Sequence, residues 1–438
     1  MTELYSITDI ANNEMKEFAM YTIENRAIPS AVDGLKPVQR FYLYSSIVNS
    51  SKEFKKVSAI SGIISDYGYN HGETSAAGAG QLMAADWNNN IRLVEGRGSF
   101  GTRQIQAAGA ARYVYTRLHA NFGKYIKDIN LSPEHDDPEH MPPKYYIPVI
   151  PLVLSNGVKG IATGFATTIL PRGEADIIKA CSDYVKRGKI AKRLPITFPD
   201  FKGTTSYDAV ADRFLSRGLY ERPSNTKILI TEIPYGYDRE TYVKILDKLE
   251  DDNNIVDYED QCSTNGFQFE IKLKNSVAKT LNTDAKIVKM FKLEKTYAEN
   301  LTVIDAEGNL KEYHDERDLI ADFVNFKMVV LDSRIANKLI ECNETLRWLD
   351  IKREFIEAVL DDNISFKGKT KVKVVAQIKN ETEAKTNEDC DRLLRLNIMT
   401  LTKEMVDELK KQIANVKIDA KYWKTTSAKE QFLGDLKF

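Results

Sequence analysis

A helix built almost entirely from small side chains has few ways to be stable, and this chain contains one. Between Thr74 and Ala85 the sequence holds five alanines and two glycines. Each glycine weakens a helix by roughly 1 kcal/mol relative to alanine, and such short side chains bury little apolar surface. The segment is stable only if something comes close to its backbone. That can be a neighbouring helix or a nucleic-acid backbone, and the local sequence leaves both open. An earlier helical stretch, Lys55 to Asp66, precedes it across a glycine-containing turn. Two helices so joined form the helix-turn-helix pattern. Ile91-Arg92-Leu93-Val94-Glu95 then reads as the strand of a wing.

The periodicity changes twice along the chain. Up to about residue 140 it is helical, with Ile7–Ile23 and Val38–Val48 as further helices around a loop punctuated by Pro29 and Pro37. From 141 to 314, alternating apolar patterns at Tyr145–Leu154, Lys227–Ile233 and Phe267–Leu273 are interleaved with helices such as Glu240–Leu249, predicting a mixed α/β region. From 315 to 438, Leu319, Phe323, Phe326, Val330, Leu339 and Ile340 lie on one long helix, and Leu393–Ala414 begins a second. A small unit around Ile351–Gln377 separates them, as at the turn of an antiparallel coiled-coil arm. The expected fold is therefore α+β and multidomain: a winged-helix domain over 1–140, an α/β domain over 141–314 and a coiled-coil arm over 315–438. A length of 438 residues with 42% hydrophobic content can build several cores.

Chemistry is concentrated at Arg112-Tyr113. A tyrosine hydroxyl is a poor nucleophile at neutral pH and becomes useful when cations stabilise both phenolate and an anionic target. Between Arg92 and Lys127 the basic residues are Arg92, Arg97, Arg103, Arg112, Arg117, Lys124 and Lys127, against one acid, Glu95. With a net charge of −1 for the whole chain, this is a local positive field rather than a polycation. A tyrosine beside an arginine in such a segment points to attack on a phosphodiester.

Competing motifs are weaker. Gly96-Arg97-Gly98-Ser99-Phe100-Gly101 fits a dinucleotide fingerprint, yet no ribose-binding acid stands about 20 residues on. Asn363-Ile364-Ser365-Phe366-Lys367-Gly368-Lys369-Thr370 nearly spells a P-loop, with Asn363 in place of its first glycine. Glu134-His135-Asp136-Asp137-Pro138-Glu139-His140 is metal-ligating by residue type but irregular in spacing, and reads as an acidic solvated loop. Asp389-Cys390-Asp391 suits the start of a helix. Cys181, Cys262, Cys342 and Cys390 are scattered like reduced thiols, and neither a secretory leader nor a membrane span is evident, so a cytoplasmic setting is expected.

The motifs in order resemble a known family. Arg26 to Arg40, containing Val32-Asp33-Gly34-Leu35-Lys36-Pro37-Val38-Gln39-Arg40, is followed by Tyr69-Asn70-His71-Gly72-Glu73, then Glu95–Arg103, then Ala111-Arg112-Tyr113. Tyr146–Gly157, Gly160-Ile161-Ala162-Thr163-Gly164 and Ile230-Thr231-Glu232-Ile233-Pro234 come next, with Leu401–Glu404 and Asp407–Leu409 near the end. This series resembles the DNA breakage-reunion half of the type IIA DNA topoisomerases, over nearly the whole chain. The His71-Gly72-Glu73 variant leans towards the eukaryotic enzymes, while the length is that of a free-standing subunit, as in phage members.

The resemblance implies roles residue by residue. Tyr113 would form the transient tyrosyl-5′-phosphate link, Arg112 would stabilise the charge of the transition state, and His71 would bind the phosphate or leaving oxygen. Arg26, Lys36 and Arg40 would hold the DNA backbone, with Thr74, Arg97 and Arg103 as further contacts, and Ile161 would wedge between base steps. Asn70 and Phe41 depart from residues common at their positions in the family. The resemblance also implies a homodimer closed at a DNA gate and a C-gate. Mg²⁺ and ATP would be held by gyrase-B-like large and, where present, small partner subunits rather than by this chain. A phage-encoded protein would act in the host cytoplasm. The alternative is a non-catalytic DNA-bending or chromosome-organising protein on the same platform.

Overall fold

In the computed structural model, residues 11–397, 399 and 401–437 are described. They form two compact units, one running to Phe326 and resumed at Asp435, the other spanning Lys327–Gly434. The first unit contains both the helical region and the α/β region that the sequence separates near residue 140.

The helical region begins with α1 (Glu14–Thr22), which runs into a π-helical turn at Ile23–Ala27. Residues 7–10 of the helix expected from Ile7 lie outside the described residues. Helix α2 (Pro37–Asn49) opens on a proline, whose missing N–H would have had no partner in a first turn. The Lys36 N–H at its cap donates to Gln39 Oε1 at 2.9 Å. The expected helix Lys55–Asp66 is shorter than its pattern. Lys55–Lys56 forms strand β1, helix α3 covers Val57–Ile63, and one 3-10 turn follows at Ile64–Tyr67. Strand β1 is drawn off the helix because it pairs with β3 (Tyr115–Leu118), which in turn pairs with β2 (Val94–Arg97). This three-stranded antiparallel sheet, ordered β1–β3–β2, is the wing.

The small-residue segment is helix α4 (Glu73–Ala84), and the structure gives both of its possible uses a place. At Gly80 an added Cβ would lie 2.1 Å from the Tyr42 ring, so this face needs glycine for contact with α2. Two residues earlier, Gly78 meets nothing within 4 Å and lines an open groove.

Further on come α5 (Asn121–Tyr125), α6 (Leu152–Asn156), the hairpin β4 (Val158–Ile161) and β5 (Ala166–Ile169), and α7 (Glu174–Arg187). Alternation over Tyr145–Leu154 predicts a strand, but only Pro148 makes a bridge there, to Ile126. Pro148 and Pro151 lack the N–H groups that a ladder needs. The α/β region holds β6 (Thr204–Asp208), β7 (Arg213–Arg217), β8 (Leu219–Ser224), β9 (Lys227–Glu232), α8 (Arg239–Asp251), β10 (Ile255–Asp260), β11 (Phe269–Leu273), α9 (Asn275–Thr280), α10 (Asp284–Met290) and β12 (Glu294–Tyr297). Strands order as β10–β11–β9–β8 and β12–β7–β6, all antiparallel. The alternation read in β9 buries Ile228 and Ile230 against Tyr242, Leu246, Phe269 and Phe291. A last hairpin, β13 (Leu301–Ile304) with β14 (Leu310–Tyr313), closes the region.

Helix α11 runs unbroken over 45 residues, Glu316–Leu360. In the second unit, its Ile351, Phe355 and Ile356 pack with α12 (Lys371–Glu381), α13 (Asn387–Leu394) and α14 (Lys403–Thr425). The second long helix therefore starts at Lys403, ten residues later than the pattern from Leu393 predicts. One cap divides what the periodicity joins: Leu393 belongs to the end of α13, and the Met405 N–H donates to Thr402 Oγ1 at the start of α14. Helix α15 (Ala428–Asp435) follows, and Asp435 pairs with Lys127 at 2.9 Å.

One buried ion pair organises the start of the fold. Arg40 donates to both carboxylate oxygens of Asp33, at 2.9 and 3.0 Å, and to Leu35 O at 3.1 Å. The Asp33 side chain has no exposure and also accepts from the N–H groups of Leu35 and Tyr146. Removing one partner leaves the other charge buried and alone. Asp33→Ala or Arg40→Ala should therefore cost about 3–5 kcal/mol in chemical denaturation. A loss below about 1 kcal/mol, the range of exposed pairs, would show that the pair is not structural.

Candidate functional site

Tyr113 sits on the return of the β2–β3 wing, two residues before β3. The turn that carries it is fixed by backbone. The first N–H groups of α3, at Val57 and Ser58, donate to Val114 O and Ala111 O at 3.0 and 3.1 Å, one on either side of Arg112-Tyr113. The Tyr113 N–H closes the turn on Ala110 O at 2.8 Å, and Gln81 Nε2 holds Gly109 O at 2.7 Å. Val114 is buried, whereas Tyr113 is 68% exposed. A large aromatic so exposed on a clamped turn has little packing role. The Arg112 guanidinium carbon lies 4.8 Å from the Tyr113 ring centre, so the cation and the ring sit together.

The surrounding positive field is smaller than the sequence suggests. Arg92 pairs with Asp86, Arg103 with Glu232, Arg117 with Glu95, Lys124 with Glu174 and Lys127 with Asp435. Arg117 at Glu95 holds that carboxyl below the usual range. Of the basic residues from Arg92 to Lys127, Arg97 and Arg112 are those left without a carboxylate among the described residues. Arg97 is exposed at the end of β2, and Arg112 is exposed on the turn before β3.

His71 belongs to a second cluster. Its Nε2 is 2.6 Å from the Tyr21 hydroxyl, and its ring centre is 5.3 Å from that of Tyr69 and 5.8 Å from that of Tyr21. Arg26 is exposed in the π-helical turn and acts electrostatically on Tyr69. Thr74 is exposed in the first turn of α4, close in sequence to His71. The ring contacts of His71 are with Tyr21 and Tyr69, not with Tyr113.

The third group is built on the β4–β5 hairpin. Ile161, at its tip, is 86% exposed, an unusual position for an isoleucine. Lys36 Nζ donates to Lys159 O at 2.6 Å, and Gly160 lies so close to Ala27 O that a Cβ would be 2.1 Å from it. The hairpin is thereby fastened to the loop that carries Arg26 and Lys36. An open groove of about 990 Å³ runs past it, lined by Gly78, Lys36, Lys159, Arg103 and Lys295 and by no carboxylate. Burial lowers the pKa of Lys36 and of Lys295. Lys295 Nζ stands 4.6 Å from the Tyr237 ring centre. Lys159, Lys295, Tyr237 and Tyr21 are absent from the residues singled out by sequence, since no local motif marks them.

Two expected DNA contacts have other work. Arg40 is spent on Asp33 inside the core. Arg103 is 5% exposed and donates to Glu232, Asp200 O and Ile233 O. Its guanidinium also lies 5.2 to 5.4 Å from the rings of Phe201, Tyr235 and Phe267. It fastens the wing to the α/β region. The remaining motifs lack the elements that their expected sites need. Gly96–Gly101 opens no helix, and Asn363–Thr370 links two helices without a strand. No group of three or more His, Cys, Asp or Glu able to hold a metal occurs among the described residues. The Glu134–His140 loop exposes Glu134 and Asp136 to Glu139 to solvent, while its two histidines are half-buried: His135 and His140 stack at 3.7 Å, and the exposed Asp136 pairs with Lys144. No described helix is long and apolar enough to cross a membrane.

Comparison with known proteins identifies the family. Residues 26–437 match the family of the A subunits of DNA gyrase and topoisomerase IV. The chain is 39% identical to the DNA topoisomerase medium subunit of Enterobacteria phage T4, over 98% of each. It is 27% identical to the mitochondrial DNA topoisomerase 2 of Dictyostelium discoideum, over 98% of this chain and 34% of that protein. The DNA-binding, cleavage and re-ligation domain of Plasmodium falciparum topoisomerase II superposes with a TM-score of 0.87 at 26% identity, over 98% of this chain and 63% of that one. The chain thus spans nearly the whole phage protein and about a third of the Dictyostelium enzyme.

The two kinds of arginine should separate by stability. Arg103→Ala should cost about 3–5 kcal/mol, because Glu232 is left buried and unpaired. Arg97→Ala and Arg112→Ala should stay within about 0.5 kcal/mol of the parent. Thermal melts that rank them otherwise would reverse the assignment.

Proposed function

The chain belongs to the family of DNA gyrase and topoisomerase IV A subunits and is the DNA-cleaving and religating subunit of a type II topoisomerase; from that premise we propose how its own residues divide the reaction. Tyr113 Oη attacks a backbone phosphorus, the Oη–P bond forms as the P–O3′ bond breaks, and the phenol proton is in balance with the 3′-hydroxyl released. The phosphodiester energy is kept in the tyrosyl-5′-phosphate, so the reverse step needs no nucleotide. The observation that carries this reading is the exposed Arg112-Tyr113 pair on a turn held from both sides by α3. Arg112 offers its charge to the phenolate and to the equatorial phosphate oxygens. His71, held by Tyr21, binds the phosphate or the leaving oxygen.

Arg26, Lys36, Thr74 and Arg97 position the duplex, joined by Lys159 and Lys295 in the basic groove. Ile161 enters a base step and bends the DNA at a cost of a few kcal/mol of unstacking. One chain cuts one strand, so a double-strand break takes two copies, and the arms formed by α11 and α14 close an exit for the second duplex. Partner subunits follow from the name of the phage relative, and ATP and Mg²⁺ belong on them. The site of action is the host-cell cytoplasm if a phage encodes the chain. A DNA-bending protein without chemistry shares the exposed Ile161 but has no use for Arg112-Tyr113.

With partner subunits, Mg²⁺ and supercoiled plasmid, denaturant should trap a covalent adduct of the wild-type chain and none of Tyr113→Phe, with unchanged DNA binding. An adduct in Tyr113→Phe would move the nucleophile elsewhere, to Tyr115 first. Ile161→Ala should bind linear duplex yet bend it less, read by energy transfer between labelled ends; equal bending would return Ile161 to a packing role. Arg97→Ala should reduce the salt slope of DNA binding by about 1, and an unchanged slope would remove it from the phosphate contacts.

A further inference from the structure

Tyr21 belongs to no sequence motif, yet its hydroxyl makes the side-chain hydrogen bond that His71 has among the described residues, Oη to Nε2 at 2.6 Å. It does so from the last turn of α1, a nine-residue helix with no buried side chain, and Tyr21 is itself 43% exposed. A phenol so placed adds little to the core. Its contact is with the imidazole.

His71 is half-buried and touches two aromatic rings. Tyr21 is tilted at 53° to it with centres 5.8 Å apart, and Tyr69 meets it edge-on at 74° and 5.3 Å. Tyr69 is 8% exposed, and its N–H donates to Ile64 O at 3.3 Å, so this side of the imidazole rests on a fixed wall. Tyr69 thus limits the tilt of the ring, and Tyr21 engages one of its two nitrogens.

Which nitrogen carries the proton decides what an imidazole can do, and the hydrogen bond on the other nitrogen sets it. A tyrosine hydroxyl keeps its proton at neutral pH. It donates better than it accepts, because its oxygen lone pair is delocalised into the ring, whereas a neutral imidazole has one strongly basic lone pair. The favoured arrangement is therefore Tyr21 O–H donating to Nε2, which puts the proton of neutral His71 on Nδ1. In the cation both nitrogens are protonated, so Nδ1–H is present in either charge state. Without the hydroxyl, neutral His71 reverts to Nε2–H, the commoner tautomer of a histidine side chain in water, and Nδ1 becomes a lone pair. Nδ1 makes no hydrogen bond among the described residues and is the nitrogen left for a ligand. The non-bridging oxygens of a phosphodiester and a departing 3′-oxygen accept hydrogen bonds and do not donate them. An N–H facing them bonds, and a lone pair facing them repels.

We propose that Tyr21 is a positioning residue for DNA cleavage: its hydroxyl holds His71 as the Nδ1–H tautomer, so that the imidazole meets the phosphate or the leaving oxygen as a donor. The tautomer follows from the contact alone; its use in cleavage rests on the role given to His71 above.

The full-length chain with ¹⁵N-labelled histidine rings gives a direct test, with the His71 signals assigned by their loss in His71→Gln. At about pH 8, above the ordinary imidazole pKa of about 6.5, His71 should show a protonated, pyrrole-type Nδ1 and a pyridine-type Nε2. Tyr21→Phe keeps the ring and loses the hydroxyl, and it should reverse this pattern. Tyr69→Phe should not. Unchanged signals from His119, His135, His140 and His314 report an intact fold. A pyridine-type Nδ1 in the parent chain, or the same His71 pattern in Tyr21→Phe, would overturn the proposal. With partner subunits and Mg²⁺, single-turnover plasmid cleavage by Tyr21→Phe should fall about tenfold at unchanged DNA affinity, the loss of one hydrogen bond in the transition state. In a His71→Ala background, which has no imidazole to direct, Tyr21→Phe should cost nothing more. Losses that multiply would mean that Tyr21 acts elsewhere, and they too would overturn the proposal. Cleavage at the parent rate by His71→Ala would sink the role given to His71 and take the positioning role with it. The tautomer pattern tells the two failures apart, since it would still reverse in Tyr21→Phe in that case and would not if the tautomer assignment itself were wrong.

Discussion

The Asp33–Arg40 pair is the constraint on which much of the first unit rests. Burying two charges is expensive, and it succeeds only where geometry is good and every remaining lone pair is met. Here the carboxylate takes two guanidinium donors and two backbone N–H groups, and the guanidinium takes a carbonyl as well. One of those N–H groups belongs to Tyr146, so the pair joins the loop before α2 to a segment more than a hundred residues on. The same loop bridges to β13 through Ser30 and Ile304. Its end presents Lys36 to the β4–β5 hairpin. A basic motif that looks like a DNA contact is in large part the clasp that holds DNA-contact candidates in place.

Charge follows the same rule of partnership. A net charge of −1 leaves little excess of either sign, so what matters is which cations lack carboxylates. Most arginines and lysines near Tyr113 in sequence are paired, and a carboxylate alongside offsets the field they offer an incoming phosphate. Arg97 and Arg112 escape. Across the groove, Lys36 and Lys295 are desolvated without a carboxylate among the groove's lining residues. A half-buried ammonium in that state gains more from an approaching phosphate than an exposed one does.

Preorganisation separates the two exposed hydrophobic groups of interest from ordinary surface residues. Tyr113 is presented on a turn whose carbonyls are tied to the start of α3, and Ile161 on a hairpin fastened at Lys159 and Gly160. Neither is buried, yet neither backbone is free. A rigid support for a solvent-facing side chain is what chemistry on a large ligand needs, because positioning is settled before the ligand arrives.

By itself the sequence determined the elements with strong local signals: the small-residue helix α4, the alternating strands β9 and β11, the long helix α11 as far as Ile340, though not its continuation to Leu360, and the Arg112-Tyr113 pair at the end of a glycine-broken wing. It marked Ile161 too, by its place after Gly160 rather than by anything that said it was exposed. Tertiary structure alone decided which arginines are available. Arg40 and Arg103 look like Arg97 in a string of residues, because a guanidinium carries no record of the carboxylate that folding brings to it. It also decided against a strand at Tyr145–Leu154, where prolines deny the ladder its donors, and divided the helix expected from Leu393 by the cap at Thr402. Local periodicity is written by nearest neighbours along the chain. Burial of charge, the Tyr21–His71 contact and the groove formed with Lys159 and Lys295 are set by neighbours in space.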